Sequence, residues 1–192
     1  MKKLIIGSLV GAVILFVWSA FSWMVLPIHT HSFMYSPGQD TIMQALNANM
    51  EQTGAYVMPS IDNRNVEMFD AKYQQECQKF MEQNKGKPSA MIFYMKEGMT
   101  MSGSTFAFGF LFDWIAVLCA VIFLAAAGDK LNTFYQRWWM VMLIGVAVAM
   151  QGKLLDWNWM GFPWHFVKWS LIDIVVQWGL CGAWLAWYLG RK

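Results

Sequence analysis

The chain reads as a mainly α membrane protein: four transmembrane helices, with a small α/β domain (helix–strand–helix–strand) inserted on the extracytoplasmic side between the first and second. Three observations predict this. Apolar residues make up 57% of the 192 positions and charged residues only 14%, against about 45–50% and about 25% in soluble domains. Four stretches each offer the roughly 20 apolar residues needed to cross a hydrocarbon core. A polar, turn-punctuated stretch separates the first of them from the second. The same composition excludes a disordered chain and most soluble enzymes. A net charge of +2 is too small to signal nucleic acid or another polyanion.

The first span runs from Leu4 to Leu26, after Lys2 and Lys3, and stops at Pro27. It could be a secretory signal with a cut near Ala20-Phe21-Ser22. The apolar run is long for that and carries bulky Trp18 and Trp23 near the cut, which favours a retained anchor. The second span covers Gly103 to Ala127, the third Phe134 to Leu155, and the fourth Phe166 to Leu189. The chain thus divides into an anchor (1–27), an inserted domain (28–101) and a three-helix segment (102–192). Four spans place both termini on one side. Lys2, Lys3, Lys130, Arg137, Arg191 and Lys192 then share that side, so the positive-inside rule makes it cytoplasmic. Trp138, Trp139, Trp157, Trp159, Trp164 and Trp169 bracket the last two spans, where interfacial aromatic belts are expected.

In the inserted domain, Ser36-Pro37-Gly38-Gln39 reads as a capped helix start. Ile42, Leu46 and Met50 follow at helical spacing, and Gly54 is the expected stop. Ala55–Met58 is a short strand. A second helix is expected from Val66 to Asn84, with Asn65 as cap, Glu67 and Asp70 near its positive end, and a stripe of Phe69, Tyr73, Cys77 and Phe80. Lys85-Gly86-Lys87-Pro88 ends it, and Ala90–Met95 is the second strand. A strand–helix–strand order suggests parallel pairing. Two strands are marginal alone, so this domain should lean on the bundle, on a second copy in a homo-oligomer, or on a protein partner.

No catalytic residue is signalled: the sequence holds no phosphate-binding glycine loop, GxSxG, HExxH or CxxCH. With only three arginines, phosphate recognition is not signalled either. Cys77, Cys119 and Cys181 form no motif. Buried polar candidates are Asp113, Lys153, Asp173 and Gln177. An acid inside a span costs about 2.5–3.5 kcal/mol to insert, so each should face the bundle and be paired. A pair of Lys153 with Asp113 or Asp173 is geometrically open. The functional reading is a proton relay or a small proton-coupled transporter; the structural one is an ion pair fixing register. His29, His31 and His165 all fall at the outer surface, and imidazoles suit a metal or haem, though their spacing matches no metal motif. Gly7 and Gly11, Gly145 and Ala149, and Gly179 and Gly182 mark close helix approach.

Ser22 to His29 (Ser-Trp-Met-Val-Leu-Pro-Ile-His), Tyr35 to Asp40, Asp156-Trp157-Asn158-Trp159 with Phe162-Pro163, and Asp173 followed by Gln177-Trp178-Gly179 together resemble an uncharacterised family of small bacterial four-helix inner-membrane proteins. That resemblance implies a bacterial inner-membrane location and carries over no functional residue. The expected function is a non-enzymatic accessory or binding subunit whose outer domain meets a partner.

Overall fold

The computed structural model describes residues 1–62 and 71–191. Asn65, Glu67, Phe69 and Asp70, expected to open the second domain helix, lie outside the described residues. Among the described residues, four helices are long and apolar enough to cross a membrane: Lys2–Met24, Gly103–Lys130, Phe134–Met160 and Trp164–Gly190. The chain divides into two compact units, one of residues 1–35 with 100–192 and one of Ser36–Met99.

The first unit is the bundle. It contains α1 (Lys2–Met24), and after the inserted residues α4 (Gly103–Ala127), α5 (Phe134–Val148), a π-helical turn (Ala149–Leu154), α6 (Leu155–Met160) and α7 (Trp164–Gly190). Thr133 caps α5: its hydroxyl accepts the Gln136 N–H at 3.2 Å while Gln136 Oε1 accepts the Thr133 N–H at 3.1 Å. Gly161, in the left-handed region, ends α6 (φ 68°). Helix α1 packs on α4 and α7, and α7 also packs on α5. The core is Leu15 from α1, Val117, Ala120 and Val121 from α4, Val141 from α5, and Trp178, Cys181 and Leu185 from α7. Outward positions such as Val13, Val17, Phe112, Ile122 and Val175 are apolar and uncovered, as a lipid-facing surface requires.

Small residues set the helix spacing. A Cβ on Gly11 would sit 2.6 Å from Val117 Cγ1 and 3.1 Å from Cys181 Sγ, so α1, α4 and α7 meet there without one. Trp138, expected in the aromatic belt, also serves the packing of the bundle. It is half-buried, and its indole N–H donates to the Gly179 carbonyl at 3.0 Å, tying α5 to α7.

The second unit holds α2 (Gln39–Asn49), β1 (Gly54–Met58), α3 (Ala71–Asn84) and β2 (Ala90–Tyr94). Helix α2 begins after the Ser36–Gly38 turn rather than at Pro37, because Ser36 spends its carbonyl on the Gln39 N–H (3.2 Å). It ends at Met50, which is extended, so Gly54 opens β1 instead of closing the helix. The strands pair antiparallel, Gly54 opposite Tyr94 and Met58 opposite Ala90. The parallel expectation took the helix as the whole crossover. Met58 pairs with Ala90, so the chain re-enters the sheet at the end it left. Among the described residues of this unit Met50 and Tyr94 are buried, and the Tyr94 hydroxyl donates to Asn47 Oδ1 at 3.1 Å. Neither α2 nor α3 holds a fully buried residue.

Candidate functional site

The polar centre of the bundle lies where the end of α1 meets α7. Pro27 cannot continue α1, and with Ile28 and His29 it makes a single 3-10 turn. Backbone bonds Thr30 N–H to Pro27 O (3.2 Å) and Ser32 N–H to His29 O (2.9 Å) fold the chain back over the helix end. This points His29 inward, where it is 7% exposed. Residues 28–35 therefore belong with the bundle rather than with the inserted domain.

Asp173 of α7 receives the imidazole. His29 Nε2 lies 2.8 Å from Asp173 Oδ2, and both side chains are buried. Asp173 Oδ1 accepts the Ser22 hydroxyl at 2.6 Å and the Trp18 indole N–H at 3.1 Å. Trp18 and Ser22 are four apart on α1, hence on one face. A carboxylate only accepts, so Nε2 carries the ring hydrogen and shares it with Ser22 Oγ, 3.0 Å away. His29 Nδ1 faces Ser32 Oγ at 3.3 Å. Trp23 closes one face of the imidazole, stacked at 3.9 Å between centroids and 9° between planes. One turn deeper, the Ser19 hydroxyl donates to Gln177 Oε1 at 3.2 Å. The α1–α7 seam is thus a ladder of polar contacts toward the C-terminal end of α1, and small-residue contacts at Gly11 and Gly7 continue it.

Chemically, the centre can hold a proton between a carboxylate and an imidazole. The Ser32–His29–Asp173 connectivity is also that of a nucleophile, base and orienting acid. Ser32 is only 3% exposed, however, and Trp23 covers the ring, so a substrate has no approach to its hydroxyl in this arrangement.

The other predicted residues lie apart. Asp113 is half-buried on α4, one turn before Val117, with no hydrogen bond or ion pair among the described residues. Lys153 sits in the π turn and pairs with neither acid among the described residues; the partner of Asp173 is His29. His31 and His165 line one open depression with Phe33, Met34 and Tyr35. His29 does not join them, and among the described residues no three His, Cys, Asp or Glu side chains gather to hold a metal ion. The chain matches no protein-family model, no curated protein and no solved structure.

Sequence reasoning missed Trp18, Ser22, Ser32 and Trp23 as members of the centre. The signal available was the i, i+4 spacing of Trp18 and Ser22 just before a helix-stopping proline. His29 was assigned to the surface because it follows a span directly. The 3-10 turn that sends it inward has no strong signature beyond Pro27.

Proposed function

We propose that this chain is a non-enzymatic accessory or binding subunit of a membrane complex in the bacterial inner membrane. In this reading both termini are cytoplasmic and the unit of residues 36–99 is extracytoplasmic, where it binds a protein partner. The observation that carries the reading is the uncovered apolar surface of that unit. On the sheet, Tyr56, Ile92 and Tyr94 share the better-buried face, while Ala55 and Val57 on the other face are exposed. Ile42 and Met43 of α2 and Met81 of α3 are also about half exposed or more. A two-stranded sheet with open apolar faces is marginal by itself, and a partner polypeptide would cover it. The polar centre supports the same reading from the other side. Its groups are all engaged with one another, as in an element that fixes helix register rather than one that opens to a ligand.

The test is purification in mild detergent with cross-linking. A second polypeptide should co-purify with the wild-type chain and be lost in Ile42→Glu and Val57→Glu, which change exposed positions and leave the fold intact. A second copy of the chain in the cross-linked product would make the partner a homo-oligomer. A stable monomer with nothing attached would defeat the reading.

The ladder of Gln177, Ser19, Asp173, Ser22 and His29 favours a second reading, a small proton-coupled transporter. In vesicles, Asp173→Asn and Asp113→Asn should then abolish proton-driven uptake while the protein still folds. Uptake unaltered in both variants removes that reading.

A further inference from the structure

The end of the bundle that carries the termini holds a cleft of about 410 Å³ that the proposed function does not use. Three cations line it: Lys3 at the start of α1, Arg137 in the first turn of α5, and Arg191 just past α7; among the described lining residues the one acidic side chain is Asp129. Arginine is scarce in this chain, yet two of its three arginines meet here.

The cations are fixed rather than loose. Arg137 Nε donates to the Ala186 carbonyl at 3.0 Å and Nη1 to the Leu131 carbonyl at 2.8 Å, closing the end of α7 onto the α4–α5 link. The guanidinium passes over Gly190, where any Cβ would collide with it. Its five N–H donors are therefore aimed, and two of them are used by these bonds. Arg191 is held with its guanidinium 3.4 Å above the Trp187 ring, and Lys3 Nζ donates to the Arg191 carbonyl. Below the charges the wall turns apolar, with Leu4, Leu124 and Leu189.

We infer that this cleft binds the phosphate of an anionic phospholipid headgroup, with an acyl chain against the leucine wall. A planar, pre-positioned guanidinium suits bidentate phosphate contact. Basic pockets between the ends of spans suit anionic lipid heads. Scattered charge near a membrane surface would give orientation alone; a cleft with an immobilised arginine and an apolar wall gives a site.

The full-length chain in detergent, stripped of lipid, is titrated with phosphatidylglycerol, phosphatidylcholine or inorganic phosphate, and bound lipid is read by native mass spectrometry. Phosphatidylglycerol should be retained in preference to phosphatidylcholine. At about 1 kcal/mol for each basic residue near the headgroup, the double variant K3Q/R191Q should retain it about 30-fold less well, and the charge-preserving K3R/R191K should recover most of the loss. Arg137 is left in place because it also ties helix ends together. Should K3Q/R191Q fail to fold, salt decides: raising ionic strength must weaken phosphatidylglycerol retention by the wild type and leave phosphatidylcholine unaffected. Equal retention of the two lipids, or retention indifferent to both charge and salt, overturns the site. Inorganic phosphate binding as tightly as phosphatidylglycerol assigns the cleft to a soluble phosphate and overturns the lipid.

Discussion

Replacing Asp173 by Ala should lower the stability of the bundle by about 3 kcal/mol, the lower end of what removing one member of a buried ion pair costs. The reason is the company Asp173 keeps. Its two oxygens accept from His29, Ser22 and Trp18, and beside it the imidazole has only the neutral Ser22 hydroxyl as a second acceptor, at 3.0 Å. Without the carboxylate, the buried imidazole loses its charged acceptor and the half-buried indole N–H loses its partner. Removing single donors should cost less: about 1 kcal/mol for Ser22→Ala or Trp18→Phe, since only one hydrogen bond is lost. The double change of His29 and Asp173 to Ala should cost clearly less than the sum of the two single changes, because each then spares the other its unpaired state. Reversible unfolding in mixed micelles with rising SDS measures all of these. A loss below about 0.5 kcal/mol for Asp173→Ala would mean that the pair does not hold the α1–α7 seam.

Gly145→Ala should destabilise by about 1–3 kcal/mol, the range for overpacking a fitted core. Helix propensity alone argues the opposite sign, since Ala is favoured over Gly by about 1 kcal/mol within a helix. Sterics decide. A Cβ on Gly145 would lie 2.7 Å from Trp178 Cβ and 2.8 Å from its Cγ, the rigid root of a side chain that is 2% exposed. Nothing flexible can yield, so α5 and α7 must part. Gly179→Ala is the control. Its new methyl would meet only Met142 Sδ at 3.6 Å, ordinary contact with a flexible chain, so propensity should win and the variant should be neutral or more stable. If both glycine variants unfold at the same point as the wild type, the α5–α7 packing is looser than these distances imply.

Both sites bear on how much was legible beforehand. The four spans were readable because twenty apolar residues in a row admit few other uses. The polar centre was half readable. Asp173 and Gln177 announce themselves as polar residues inside a span. Their partners on α1 are serines and tryptophans, which are common at membrane interfaces and carry no charge to flag them. His29 depended on a turn whose direction comes from tertiary contacts. Lys153 was the natural cation to pair with an intramembrane acid, but the carboxylate of Asp173 is held by the imidazole of His29 instead. In the inserted unit the strands were found within a residue, while their relative direction depends on the length of a connection and leaves no mark on a five-residue pattern. The basic cleft was missed for a different reason. Counting arginines says nothing about where the few present ones converge.

The π turn at Ala149–Leu154 has a consequence for the outer corner of the bundle. A wide turn takes up one residue more than an α turn, and a residue is worth about 100° of rotation. Everything from Leu155 to Met160 is thereby turned in phase relative to Phe134–Val148. A periodic pattern run straight through the span assigns the wrong direction to Trp157, which reaches across Gly161 to meet Trp164 edge-on at 5.8 Å. At this corner the number of residues in the chain, more than their identity, sets which way the aromatic rings face.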